Sequence, residues 1–244
     1  MQSTKHQVKL HLQPTINTCG YGALATYLSF YGMNVTPEEL VRKVPQPADQ
    51  QGNPVGSITS QLITWCQGQG LQATLYTFDC MIIDLTWSKL SKEEIIARLE
   101  AVKDTRNVRG LGDKHWSKVY VESYIEMLKS GAELKVLPYV TPEMLYDLLK
   151  KGPVYANVVA PVLYNNGRKR HWEVRQAELD DKDGIIGTHS LVIYGNDSDG
   201  NFLLADPWEG QQTASQAAMT AAITAAQIEC DNLCFQIERH TIEK

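Results

Sequence analysis

Gly187-Thr-His189-Ser-Leu191-Val-Ile-Tyr194-Gly195-Asn-Asp-Ser-Asp-Gly-Asn201-Phe202-Leu-Leu-Ala205-Asp206-Pro207-Trp208 is the stretch that decides how this chain folds. Two short apolar runs, His189–Tyr194 and Phe202–Ala205, flank the polar segment 195–201. That pattern predicts a β-hairpin with a solvated turn. Folding it about the turn brings His189, at the start of one strand, beside Asp206, at the end of the other. Asp197 and Asp199 belong to the turn. Their Asp-x-Asp-Gly spacing resembles half a calcium loop, but the Glu that such a loop needs does not follow.

Around the hairpin the texture is strand-rich. Pro153–Ala160 is a continuous apolar run of strand length, and Leu233–Ile237 suits a last strand. The Ala-rich segment Thr213–Ile228 predicts a helix. Before Gly152 the signals are mostly helical. Leu24, Tyr27, Leu28 and Tyr31 form one stripe of a 3.6-residue period, with Asn17 or Thr18 to cap its start and Gly32 to end it. Thr36-Pro-Glu-Glu39 and Ser91-Lys-Glu-Glu94 are capping boxes. Further helices are expected over about 57–66, through Val121, Tyr124, Ile125 and Leu128 up to Gly131, and from Thr141-Pro142 to Gly152, with a strand at Leu71–Phe78. Helices first and strands second predict one α+β domain over 1–244, with possible insertions near 80–130 and 161–187.

The chain has 244 residues, 23 Lys and Arg against 28 Asp and Glu, and a formal charge of −5. That balance excludes a protein built to neutralise a phosphate backbone, so no nucleic-acid partner is expected. No apolar stretch approaches the ~20 residues of a membrane span. The N-terminus is polar, which predicts no signal peptide and a cytoplasmic setting. Five cysteines, at 19, 66, 80, 230 and 234, are odd in number and irregular in spacing, which predicts reduced thiols. The charge run Arg168-Lys-Arg-His171 is short and is followed by Glu173 and Glu178.

A reduced cysteine is either core filler or a nucleophile. Cys19 stands at the first turn of the predicted helix, where free N–H groups and the positive end of the macrodipole favour a thiolate. Gly20-Tyr-Gly22 keeps side chains small where a substrate would approach, so Gly20 is a candidate binding residue. The other cysteines lack this setting. Of six histidines, His189 alone opens a strand, where a base is held rigidly. Asp206 can accept from its imidazole, fix the tautomer and stabilise the imidazolium. Gln13, six residues before Cys19, carries an amide able to donate to an oxyanion together with the Cys19 N–H. Trp116, Trp172 and Trp208 are candidates to line a substrate groove. No metal or organic cofactor is implied.

At these residues the sequence resembles the papain-like cysteine peptidases of the C39 kind, which remove double-glycine leader peptides from bacteriocin precursors, and their stand-alone relatives. The resemblance is carried by Gln13-Pro-Thr-Ile-Asn-Thr-Cys19-Gly20-Tyr-Gly-Ala-Leu24, Tyr31-Gly32, Gly152-Pro-Val154, His189–Gly195 and Asp206-Pro-Trp-Glu-Gly210. It covers the two ends of the chain, and no G-x-x-x-x-G-K-[ST] or transporter part accompanies it. The resemblance implies a papain-like fold with an N-terminal helical part packed on a C-terminal antiparallel sheet. It also implies Cys19 as nucleophile, His189 as base, Asp206 as its orienting partner and Gln13 as oxyanion donor. The expected activity is hydrolysis of a peptide or amide bond in a peptide or protein substrate through a thioester. With an amine or alcohol as acceptor the same site would be an acyltransferase. A binding module on an inactive scaffold is the other alternative.

Overall fold

The computed structural model describes residues 3–44, 46–48, 52–77, 79, 81–104, 114–166, 180–184, 186–226 and 234–239. In chain order these form β1 (Thr4–Lys5), α1 (Cys19–Ser29), α2 (Pro37–Lys43), α3 (Thr59–Gly68), β2 (Leu71–Thr77), α4 (Lys92–Val102), α5 (Lys114–Lys129), β3 (Glu133–Val136), α6 (Pro142–Leu149), β4 (Val154–Val159), α7 (Ala160–Leu163), β5 (Thr188–Asn196), β6 (Phe202–Asp206), β7 (Gly210–Ala214), α8 (Gln216–Ala226) and β8 (Cys234–Arg239). The class is α+β, with one sheet running β3-β2-β8-β4-β5-β6-β7 and β1 added to the far end of β5. Among the described residues no helix is long and apolar enough to cross a membrane.

The hairpin forms as its pattern requires. β5 and β6 pair antiparallel, with Val192 opposite Ala205. The turn is closed by Asp197, whose carboxylate accepts from the Asn201 N–H at 2.8 Å and from its side-chain amide at 3.0 Å. β4 pairs with β5 on the other side, setting Val158 opposite His189. β5 is thus a central strand, buried on both faces. Val192 and Tyr194 join one hydrophobic cluster, Leu191 and Ile193 the other.

Those two clusters lie on opposite faces of the sheet. The first is built with α1 to α5 through Leu24, Leu28, Leu62, Leu99 and Tyr124. The second is built with α6 and α8 through Leu145, Leu149, Met219 and Ile223. One expectation is corrected here: the sheet is mixed and not wholly antiparallel, since β2 and β3 pair parallel while its other pairings are antiparallel. Helices cover both of its faces. β2 and β3 also come from before Gly152, where mostly helical signals were read. β3 escapes a sequence reading because its Glu-Leu-Lys-Val is short and half polar, and β7 because Gly-Gln-Gln-Thr-Ala is a polar edge strand.

The segment 80–130, taken as a possible insertion, contributes Ile82, Trp87, Ile95, Leu99 and Val121 to the first cluster. Of segment 161–187, residues 167–179 and 185 lie outside the described residues, as do His240, Cys80, Cys230 and the side chains of Trp116, His115 and Cys234; His171 and Trp172 fall in that gap. The capping boxes at Thr36 and Ser91 are both formed, and Gly32, Gly70 and Gly131 close their helices at positive φ.

Candidate active site

α1 does not start with a side-chain cap from Asn17 or Thr18. A short 3₁₀ turn, Ile16–Thr18, runs straight into it. The Thr18 hydroxyl instead accepts from the Thr15 N–H at 2.9 Å, and the Asn17 amide donates to the Pro54 carbonyl at 3.0 Å. The continuous turn leaves Cys19 as the first α-helical residue, half-buried, with the helix behind it.

The chain before this turn is tied to the far end of the hairpin. The Gln13 N–H donates to the Pro207 carbonyl at 3.0 Å. Gly22 permits this junction, because a Cβ there would stand 2.7 Å from Pro207 Cβ and 3.2 Å from the Gln13 nitrogen. The two ends of the polypeptide therefore meet where Cys19, His189 and Asp206 converge.

His189 Nε2 lies 2.8 Å from Asp206 Oδ1. The carboxylate is fully buried and collects four donors. Oδ1 also accepts from the backbone N–H of Trp208 at 2.6 Å and of Glu209 at 2.9 Å, and Oδ2 accepts from the Tyr164 hydroxyl. Burial works against the Asp206 charge, but the facing imidazolium and these hydrogen bonds outweigh it and hold the carboxyl below its usual range. Burial likewise opposes the His189 charge, and Asp206 overcomes it, raising the imidazole to about 10. With Nε2 engaged, Nδ1 is left for the sulfur. Burial pushes the Cys19 thiol up, yet its hydrogen bond and charge interaction with His189 bring it below the ordinary thiol value. The contrast is Cys66, 0 % exposed in the core, whose thiol burial alone raises. Of the other histidines whose side chains are described, His6 meets the Leu149 carbonyl at 2.7 Å, and burial, with Lys9, lowers His11.

Two cavities flank this group and share Ile16, Asn17, Cys19, Thr188 and His189. One, about 120 Å³, is lined further by Gln13, Ala160, Tyr164, Asp206, Trp208 and Glu209. The other, about 200 Å³, is lined further by Val55, Gly56, Ser57, Tyr120 and Ser190. Trp208 lines the first cavity.

Two expected contacts are placed differently. Gly20 is buried and lines neither cavity. A Cβ there would lie 1.9 Å from Ser57 Oγ and 3.0 Å from the Tyr155 hydroxyl, so its smallness admits protein, not substrate. Gln13 reaches the first cavity, but its Nε2 donates to the carbonyls of Thr15 at 2.8 Å and Ile16 at 3.0 Å, while Oε1 is buried without a partner. The 3₁₀ turn presents those carbonyls to the amide, so an oxyanion would have to compete for one of its N–H groups.

Three residues at the site were not read from the sequence. Tyr164 sits in a segment without periodic pattern. Ser190 is adjacent to His189 and reads as part of the strand. Asn157 had a visible signal, being the one side-chain amide in the apolar run Pro153–Ala160. Tyr164→Phe is expected to leave Asp206 Oδ2 buried without its donor and to cost about 1–2 kcal/mol. Denaturant unfolding of the two proteins at equal m-value measures it.

Among the described residues no group of three or more His, Cys, Asp or Glu is arranged to hold a metal ion. No model of a known protein family matches the chain, and a search of curated proteins finds no match.

Proposed function

We propose that this protein is a thiol-dependent hydrolase of peptide or amide bonds, with a papain-like arrangement of Cys19, His189 and Asp206. The observation that carries the reading is the convergence, from opposite ends of the chain, of a half-buried thiol below its ordinary pKa with a buried imidazole–carboxylate pair beside an open cleft. Perturbed titrations of this kind cluster at functional sites.

In the proposed reaction the Cys19 thiolate attacks the substrate carbonyl carbon and the carbonyl π electrons move to oxygen. The Cys19 N–H and Gln13 hold that oxyanion, Gln13 by exchanging one bond from a turn carbonyl. The His189 imidazolium protonates the leaving amine, the C–N bond breaks and a thioester remains. Neutral His189 then takes a proton from water, whose oxygen attacks the thioester and releases the acid and the Cys19 thiolate. Asp206 fixes the imidazole tautomer and balances its charge throughout.

The test is the pH dependence of Cys19 alkylation by iodoacetamide, followed by mass spectrometry of the labelled residue. Only the thiolate reacts, so a lowered Cys19 predicts a half-point below the ~8.5 of a free thiol. Hydrolysis needs thiolate and imidazolium together. Its rate should therefore rise through the lowered Cys19 value and fall through the raised His189 value. A half-point at or above the free-thiol value would end the proposal. Release of free acid from a peptide library marks a hydrolase, whereas product carrying a second amine or alcohol marks an acyltransferase.

A further inference from the structure

From the sulfur a chain of polar side chains runs into the core. Cys19 Sγ lies 3.9 Å from Ser190 Oγ. The Ser190 hydroxyl donates to Asn157 Oδ1 at 2.7 Å, and Asn157 Nδ2 donates to Thr59 Oγ1, in the first residue of α3, at 2.8 Å. Ser190, Asn157 and Thr59 are 6, 2 and 3 % exposed. Buried polar groups cost free energy unless every one is paired, and a chain that ends against a nucleophile has a further consequence. The sense of these hydrogen bonds decides what the Ser190 side chain offers the sulfur, beside the Ser190 backbone N–H and His189, which already favour the thiolate.

Both ends of the chain are hydroxyls, which donate or accept equally well, and the middle is an amide with one acceptor end and one donor end. In the structure, Ser190 gives its proton to Asn157 and turns its lone pairs to the sulfur. That arrangement suits a neutral thiol, whose S–H points at Ser190 Oγ. Rotating the Asn157 amide by half a turn reverses every bond without losing one. Thr59 then donates to Oδ1, Nδ2 donates to Ser190 Oγ, and the Ser190 proton is free to point at the sulfur. That arrangement suits a thiolate.

We infer that Ser190 and Asn157 are positioning residues that follow the charge of Cys19, the Asn157 amide reversing as the sulfur ionises so that Ser190 donates to the thiolate. The inference rests on Cys19 being the nucleophile, and it is independent of substrate. The titratable groups around the sulfur are His189 with Asp206 behind it on the hairpin, and Tyr21 on α1, whose hydroxyl is engaged with the Val44 carbonyl at 2.8 Å. Tyr120 lines the second cavity, and Tyr164 and Glu209 the first.

The two partners have opposite expected effects on the acid limb of Cys19 alkylation. Ser190→Ala removes a hydrogen bond to the charged form and should raise the half-point by roughly one pH unit, with Ser190→Thr restoring it. Asn157→Ala takes away the acceptor that holds the Ser190 proton in the thiol state, so the half-point should stay or fall. In the wild-type protein, the Asn157 side-chain amide signals should shift in NMR with the same midpoint as Cys19. A half-point unmoved by Ser190→Ala in folded protein, an upward shift in Asn157→Ala equal to that of Ser190→Ala, or Asn157 signals flat across the Cys19 midpoint would each overturn the relay. Such results would leave the hydrolase reading standing as long as wild-type Cys19 reacts below the free-thiol range. A wild-type Cys19 without that lowered limb would overturn the hydrolase reading itself.

Discussion

Cys19→Ala is expected to reduce turnover by about 10⁴-fold or more, the scale seen when a nucleophile is removed from a triad. The reason is the geometry of the cleft. Cys19 lies where the two cavities join. The other described free thiol, Cys66, is sealed in the core. No other described free thiol reaches the cleft. Cys66→Ala should accordingly leave turnover unchanged. The same variant has a second reading that needs no substrate. In Cys19→Ala the imidazolium loses the thiolate but keeps Asp206, so the His189 pKa should fall while staying above the ordinary histidine value. An NMR titration of the His189 ring checks this. An unchanged rate of turnover in Cys19→Ala would show that the chemistry lies elsewhere.

Asp206→Asn carries the second large effect, about 10⁴-fold by analogy with a triad whose orienting carboxylate becomes an amide. An Asn oxygen in the Oδ1 position still accepts from the Trp208 and Glu209 N–H groups, so the turn after β6 keeps its bonds. Its NH₂ then faces the Tyr164 hydroxyl, which can rotate to accept. What is lost is the charge beside His189. A buried imidazolium without a counter-ion reverts to neutral imidazole, and Cys19 reverts to thiol. The alkylation half-point of Cys19 should therefore move up toward the free-thiol range in Asp206→Asn. Stability should change with a definite sign. The depressed Asp206 carboxyl stabilises the native state above the ordinary carboxylate range, and this contribution is lost as pH falls through its folded value. In Asp206→Asn that part of the acid destabilisation should vanish. Thermal unfolding at a series of acid pH values, wild type against variant, reads it directly. Retained activity in Asp206→Asn with a folded hairpin would mean that the carboxylate serves the turn alone.

The hairpin was legible because its signal is local. Two apolar runs around Asn196–Asn201 have one simple solution, and the pairing of β5 with β6 follows from it. The capping boxes at Thr36 and Ser91 were legible for the same reason, since each is satisfied within four residues. The chemical types at Cys19, His189 and Asp206 could be singled out from their positions on predicted elements. That the three share one cleft could only be an expectation, because nothing in the local sequence brings residue 19 to residue 206.

Amino-acid order by itself determined the α+β character, the main helices and the hairpin that sets His189 against Asp206. Only the tertiary structure decided the rest. It chose the parallel pairing of β2 with β3, the covering of both sheet faces, the inward turn of the Gln13 amide, the burial of Gly20 against Ser57, and the partners Tyr164, Ser190 and Asn157. Local elements form from interactions a few residues apart, whose periodicity the sequence displays. The others depend on which surfaces happen to be brought together over separations such as the 171 residues between Cys19 and Ser190, and there burial and hydrogen-bond satisfaction, summed over the whole core, make the choice.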